Sequence, residues 1–335
     1  MNYEHAKSKT RIARWLYSPT ARAPGALAVV FVLGLAFNAD GAFFNWSTHR
    51  NMLRAVSVYG ILACGMTLVI ITGGIDLSVG SILALTAVSF SLLIIHRGIS
   101  APLAIVLCLL IGAACGAGSG LLIARFSIQP FIATLAMMVF ARGLGKLISG
   151  GQKISTAVQL PDGTYSYIEA PQIFNFLNSK VAGDNISVVT LVFLVCLIIS
   201  WILLTKLRHG RYIYAIGGNE AAARLSGVPV SAVKTLAYGL SGLFCAVAGI
   251  CQASQELQGD PEAGVAYELS AIAMVVIGGT SLRGGRGGIW LTLLGVLTIG
   301  YLEKILSINA VGEDKRLMLT GAIIIAAVLF QKTRK

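Results

Sequence analysis

Charged residues are scarce in this sequence of 335 residues: Asp, Glu, Lys and Arg make up 12% of it, about half the share found in soluble domains. So few charges cannot cover the surface of a protein of this size in water. Hydrophobic residues make up 56%, which also excludes a disordered chain, because disorder requires low hydrophobicity. The composition therefore predicts a protein with many membrane spans.

Motifs for metal binding, disulfide formation and catalysis are missing as well. The six cysteines lie inside apolar segments without a CxxC pair and the four histidines are scattered, so neither a zinc site nor a disulfide framework is indicated. A phosphate loop is absent, because Gly145-Lys146 is followed by Leu147 and lacks the glycine required upstream. HExxH and GxSxG motifs are absent too. We expect no bound cofactor, no metal and no catalytic residues in this chain.

Acidic residues are outnumbered, because 14 Asp and Glu stand against 26 Lys and Arg, a net charge of +12. The basic residues lie mostly at the ends of apolar runs, where they suit anionic lipid headgroups and the cytoplasmic side of a membrane. Membrane lipid is therefore an expected partner, and nucleic acid is not.

Ten apolar segments approach the length of a membrane span, which is about 20 residues. We predict an all-α polytopic protein with a basic cytoplasmic leader, 1–23, a single transmembrane domain, 24–331, and a cytoplasmic tail, 332–335. The predicted spans are 24–39, 55–72, 78–95, 102–124, 130–148, 187–204, 232–253, 269–282, 289–306 and 317–330.

The distribution of Lys and Arg orients these spans. With the leader in the cytosol, the basic loop 205–231 and the basic tail lie inside. The acidic loop 256–268 and the polar segment 149–186 then lie outside. Both termini are therefore predicted to be cytoplasmic.

Glycine patterns indicate close helix packing and broken helices. Gly112, Gly116 and Gly120 recur at four-residue spacing in the fourth predicted span, which lets helix backbones approach closely. Segments 72–80 (TGGIDLSVG) and 277–285 (IGGTSLRGG) each end an apolar run at a Gly-Gly pair. Helices interrupted in this way are common near transporter sites.

The loop 217–228 predicts a short, rigid helix. Asn219 suits an N-cap, Glu220 lies favourably in the first turn, and Gly227 can end the helix. Two interpretations remain open: an ordinary interfacial linker helix, or a docking element for a cytosolic partner.

Asp76 is a carboxylate between two apolar runs, where an unpaired charge costs about 2.5–3.5 kcal/mol on insertion scales. Either it caps a helix that begins near Leu77, or it lies beside a translocation path and contacts the transported molecule or a gating partner.

Four segments, in order, resemble the permease subunits of ABC sugar importers of the ribose, xylose and galactoside type, in the branched-chain amino acid/monosaccharide permease family. They are 65–81 (GMTLVIITGGIDLSVGS), 129–135 (QPFIATL), 217–228 (GGNEAAARLSGV) and 267–287, which contains YELSAIA and VIGGTSLRGGRG. The resemblance extends from the region of Asn51 to the C-terminus. At 268–270 this chain has Glu-Leu-Ser where the family often has Glu-Leu-Asp.

The resemblance implies an ABC importer permease fold of about ten transmembrane helices, some of them broken, in the bacterial cytoplasmic (inner) membrane. It implies import of a monosaccharide, a pentose or hexose, driven by ATP hydrolysis in a separate cytosolic ABC ATPase subunit. A periplasmic sugar-binding protein would deliver the sugar, and a second copy or a paralogous permease would complete the path.

The resemblance and the glycine breaks together assign candidate residues. Residues expected to couple to the ATPase lie in the cytoplasmic coupling loop, 205–231: Gly218, Asn219, Glu220, Ala221, Ala222, Arg224, Leu225 and Gly227. Residues expected along the translocation path are Gly73, Gly74, Asp76, Ser78, Gln129, Thr134, Gly278, Gly279, Thr280 and Ser281.

A stand-alone secondary sugar transporter is the alternative function. It would require a coupling-ion site, and carboxylates are rare in the predicted spans. A polytopic membrane enzyme is a third interpretation, which the missing catalytic clusters disfavour.

The missing phosphate loop predicts that the purified chain hydrolyses no ATP by itself. Phosphate release from ATP, measured in detergent on a preparation shown free of other subunits, should stay at the level seen without protein. Phosphate release by the pure chain would contradict the assignment of ATP hydrolysis to a partner.

Overall fold

The computed structural model describes residues 19–159 and 164–332. Residues 1–18 of the predicted leader, 160–163 of the predicted external segment and 333–335 of the tail lie outside the described residues. The helices are α1 (Pro19–Ala36), α2 (Trp46–Ile71), α3 (Val79–Ser91, continued by the π-helical turn Leu92–His96), α4 (Ala101–Phe126), α5 (Pro130–Ser149), α6 (Gln172–Asn178), α7 (Val188–Thr205), α8 (Arg208–Gly218), α9 (Glu220–Leu225), α10 (Val230–Glu256), α11 (Tyr267–Ile277), α12 (Ile289–Ile308) and α13 (Glu313–Lys332).

The strands are short, and within the described ranges they form only two-stranded antiparallel sheets. The pairs are β1 (Ile154–Ser155) with β6 (Gln258–Gly259), β2 (Ala157–Gln159) with β3 (Tyr165–Tyr167), and β4 (Lys180–Val181) with β5 (Ile186–Ser187).

Each of the ten predicted spans coincides with a helix. Seven of the described helices are long and apolar enough to cross a membrane: α2, α3 with its π-helical turn, α4, α5, α7, α10 and α12. The prediction of an all-α polytopic protein is therefore confirmed. The predicted count of ten spans and the cytoplasmic placement of both termini stay predictions.

Two predicted spans extend too far. The predicted end of the span 269–282 is wrong, because α11 stops at Ile277. Gly279 follows with φ of +100°, a backbone conformation that glycine adopts without steric cost. The 11 residues of α11 reach about 16 Å, roughly half of a hydrocarbon core of about 30 Å. The first predicted span, 24–39, also ends early, at Ala36.

The centre of the bundle is formed by α2, α3 and α10, which pack against one another. Residues 60–71 of α2 are all buried, as expected for a helix that is apolar on every face. Surrounding helices α4, α5 and α7 turn large apolar side chains outward, which suits contact with lipid.

The polar segment 149–186 contains ordered structure on both sides of its undescribed residues. β1 pairs with β6, which follows α10. Phe174 of α6 stacks on Phe90 of α3 with ring centroids 5.3 Å apart. The segment is therefore anchored to the helix bundle at two places.

The predicted glycine face of α4 packs directly against α10. A Cβ atom at Gly112 would overlap the carbonyl oxygen of Gly242, one at Gly116 would overlap that of Tyr238, and one at Gly120 would lie 2.7 Å from the Cα of Thr235. Backbone therefore meets backbone along this face, as the spacing predicted.

Replacing Gly116 by Ala should destabilise the bundle, because backbone atoms cannot yield to the new methyl group as a flexible side chain would. We expect a loss of about 1–3 kcal/mol, the usual range for overpacking. Gly118→Ala is the matched control, because its Cβ would meet only Met137 Cε, at 3.5 Å, and Ala favours the helix by about 1 kcal/mol. Thermal unfolding in detergent measures the stability of both variants. Equal melting temperatures for the two variants would contradict the backbone contact.

Candidate functional site

The predicted helix in the loop 217–228 is confirmed as α9. The Asn219 side-chain oxygen accepts a hydrogen bond from the N–H of Ala222 at 3.0 Å, which caps the first turn. Gly227 has φ of +80°, and the N–H of Val228 donates to the carbonyl of Ala223 at 3.0 Å. Both ends of this six-residue helix are thus closed by local hydrogen bonds.

Glu220 joins α9 to the start of α10. Its carboxylate lies 3.2 Å from the guanidinium of Arg224 and 2.5 Å from the ammonium of Lys234. Burial opposes ionisation of Glu220, but the hydrogen bonds and charges of the two cations outweigh it and lower the pKa of this carboxyl. The ion pairs therefore stabilise the fold at neutral pH, and this contribution is lost as the pH falls through the folded-state pKa.

The outer side of α9 forms an exposed patch, which we call the coupling surface and define as residues 218–227. Leu225 has 90% of its surface exposed, while Ala223 is buried on the opposite side of the helix. A rigid surface with an exposed leucine at its centre suits contact with another protein better than contact with water.

Directly before the coupling surface, α8 ends against two other chain segments. Gly217 packs on the backbone of Ile71 and Gly285 so closely that a Cβ would overlap the Ile71 carbonyl oxygen. The N–H of Gly285 donates to that same carbonyl at 2.9 Å, and Tyr214 Oη donates to the carbonyl of Gly287 at 3.0 Å. We call the contact of Ile71, Gly217 and Gly285 the glycine junction.

The glycine junction brings together the two segments that resemble each other in sequence. Ile71 ends α2 just before the break at Gly73-Gly74, and Gly285 belongs to the turn that follows α11. A Cβ at Gly284 would lie 2.8 Å from the backbone nitrogen of Gly73. Both breaks therefore meet at the end of α8.

Asp76 is fully buried between α2 and α3. Its Oδ1 accepts hydrogen bonds from the backbone N–H of Ser78 at 3.0 Å and from the Ser78 hydroxyl at 2.5 Å. Its Oδ2 accepts from the hydroxyl of Ser241 on α10 at 2.8 Å. α3 begins at Val79 with Ser78 at its N-cap position, so Asp76 is not the N-cap itself. Its carboxylate accepts hydrogen bonds from Ser78 in the turn before α3 and ties that turn to the central helix.

Residues 49–328 match the family described as branched-chain amino acid transport system / permease component. The chain belongs to this family. The predicted resemblance is therefore confirmed, and the protein is an all-α, multi-pass permease component of the bacterial cytoplasmic membrane, a transport subunit rather than an enzyme.

Curated relatives of the permease match nearly end to end. A ribose import permease protein of Escherichia coli (strain K12) is 38% identical over 312 residues, which cover 92% of this chain and 93% of the relative. A fructose import permease protein of Rhizobium meliloti is 35% identical, with coverage of 95% and 87%. An L-arabinose transport system permease protein of E. coli (strain K12) is 35% identical, with coverage of 92% and 90%. No solved structure matches the chain.

The permease brings part of the predicted path set together. The hydroxyl of Thr134 on α5 lies 3.3 Å from the carbonyl oxygen of Ile75, beside Asp76. Gly278 and Thr280, which follow α11 in the chain, are buried. Gln129, the residue that precedes α5, is exposed. Their part in translocation stays a prediction.

Sequence reasoning missed three residues that complete this region of the permease: Tyr214, Gly217 and Ser241. Gly217 stands beside Gly218 in a loop already predicted to be functional, and this Gly-Gly pair was the available signal. No signal in the sequence pointed to Ser241, because it lies in an apolar segment, 165 residues from its partner Asp76.

The bonding of Asp76 predicts a difference between Asn and Ala. Asp76→Asn should fold and transport like the parent, because its oxygen can still accept from Ser78 while its amide donates to the Ser241 hydroxyl. Asp76→Ala leaves buried donors unpaired and should lose about 1–3 kcal/mol. Folded protein in the membrane and substrate uptake are measured together. A well-folded Asp76→Asn protein without uptake would show that transport requires the negative charge.

Proposed function

We propose that this permease imports a monosaccharide, a pentose or hexose, into the bacterial cytoplasm as the transmembrane subunit of an ABC importer. The observation that carries the proposal is the near-complete match to permeases named for ribose, fructose and L-arabinose. Each match covers the breaks, the coupling surface and all seven full-length spans.

The coupling surface is the proposed contact for the cytosolic ATPase. Its helix is closed at both ends and held to α10 by the Glu220–Lys234 ion pair, so we expect α9 to move together with the start of α10. It continues directly from Gly217 in the glycine junction. A displacement imposed by an ATPase would therefore reach the ends of both broken helices through backbone contacts, without side chains that could deform.

Two further partners belong to the proposal. A periplasmic binding protein would deliver the sugar to the side formed by 149–186 and the acidic segment after α10. A second permease, identical or related, would complete the path, because α5 carries large apolar side chains on a face that the single chain leaves uncovered.

Leu225→Ser tests the coupling surface. The leucine is exposed, so the fold should lose less than about 0.5 kcal/mol, whereas loss of a central apolar contact should weaken ATPase binding by at least about 1 kcal/mol. We expect the variant to reach the membrane in parental amounts, to copurify less ATPase and to lose sugar uptake.

Leu207→Ser is the control, because Leu207 is an exposed leucine at the start of α8, outside the coupling surface. Parental uptake and ATPase copurification by Leu225→Ser would refute the docking role. A parent that transports sugar without any copurifying ATPase would favour the secondary transporter instead.

A further inference from the structure

A cavity of about 410 Å³ lies between α3, α5 and the segment that leads into α11. Its volume is within the usual range of small-molecule sites, about 300–1,000 Å³. Most of its lining is apolar, and its polar groups come from Ser81, Arg142, Lys146 and Glu268. None of these four residues belongs to the predicted path set.

The cavity lies at the depth of the membrane-spanning helices. After α10 the chain runs along α3, where a Cβ at Gly259 would lie 2.7 Å from the carbonyl oxygen of Ala87 and one at Gly264 would lie 2.5 Å from that of Gly80. These two contacts are seven residues apart along α3, about 10 Å. Non-helical backbone at such depth is tolerated where it is buried in protein or lines a cavity.

Arg142 holds this segment in place from within an apolar helix. Its Nη1 donates to the carbonyl oxygens of Pro261 at 2.6 Å and Ala263 at 2.7 Å. Both acceptors are neutral, and the carboxylates of Glu262, Glu268 and Asp260 lie close enough to interact electrostatically with the guanidinium. Charged residues inside membrane spans usually face a cavity and mark the path of a substrate.

Glu268 supplies the opposite charge on the wall formed by α11. It makes no ion pair within 4 Å among the residues that the structure describes, whereas Lys146 at the rim is matched by Glu262 at 2.5 Å. Apart from the Lys146–Glu262 ion pair at its rim, the cavity presents Arg142 and Glu268, which interact electrostatically but do not form an ion pair within 4 Å.

We infer that this cavity is a sugar-binding station on the translocation path, with Glu268 and Arg142 as its polar contacts. The inference rests on the proposed function and names the residues that would serve it. A carboxylate only accepts hydrogen bonds and a guanidinium only donates them, whereas a sugar hydroxyl does both. A neutral polyhydroxylated molecule can therefore bridge the two walls without bringing a charge into the membrane.

Uptake of radiolabelled D-ribose, D-fructose and L-arabinose by cells that express the complete importer tests the station. Glu268→Gln should reduce uptake of the transported sugar about tenfold or more, because a charged hydrogen bond is lost. Its amount in the membrane and its copurifying ATPase should stay unchanged. Glu313→Gln is the control, because this exposed carboxylate begins α13, outside the cavity.

Parental uptake by Glu268→Gln would overturn the station while leaving the proposed function intact. A parent that takes up none of the three sugars would overturn the proposed function and the assigned ligand together. Inhibition of uptake by excess leucine would show an amino acid in the cavity and would also overturn the sugar assignment.

A cysteine variant tests the cavity without altering its charges. Met138 lines the cavity from α5, and Val195 lies outside it on α7 with 54% exposure. Thiol modification of Met138→Cys should block uptake, and the transported sugar should slow that modification, while modified Val195→Cys should transport normally. Full uptake by modified Met138→Cys would place the path elsewhere.

Discussion

The hydrogen bond from the Gly285 N–H to the Ile71 carbonyl, 2.9 Å long, is the contact on which the functional end of this permease depends. The full-length helix α2 and the short helix α11 both end at this place, and the last turn of each leaves backbone carbonyl groups without helical partners. In a membrane such groups must be satisfied by the protein itself. Joining one break to the other meets that requirement, and Gly217 fits between them because it has no side chain.

A second connection runs through the centre of the bundle. Glu220 on α9 pairs with Lys234 in the first turns of α10, and two turns further along that helix Ser241 donates to Asp76. The exposed helix and the buried turn before α3 are thus attached to one rigid element. Together with the glycine junction, this leaves α9 joined to both breaks by short contacts.

Charge is used differently at the two ends of the molecule. On the coupling surface Glu220 is compensated by two cations, which stabilises the small helix and leaves an apolar residue, Leu225, as its most exposed feature. In the cavity beside α5, Arg142 donates to the carbonyl oxygens of Pro261 and Ala263 and forms no ion pair with Glu268 within 4 Å. The first arrangement stabilises a small exposed helix, and the second is the one that we infer to serve a neutral ligand.

Local chemistry was enough to predict several parts of this protein from its sequence. The low share of charged residues and the ten apolar segments determined an all-α polytopic fold, because apolar stretches in lipid must bond their own backbone. Asn219 and Gly227 determined the ends of α9, and the spacing of Gly112, Gly116 and Gly120 determined a close helix contact. Each of these follows from residues that are neighbours along the chain or on one helix face.

Only the tertiary structure decided the rest, because it depends on contacts between residues far apart in sequence. The early end of α11 follows from the turn that carries Gly285 back to Ile71. Asp76 accepts hydrogen bonds from its neighbour Ser78, but its other partner, Ser241, lies 165 residues away in the sequence. Arg142 is a single charge in an apolar span, and only its bonds to Pro261 and Ala263 place it at the wall of a cavity. Periodicity reports which face of a helix is buried, and it does not report which element that face meets.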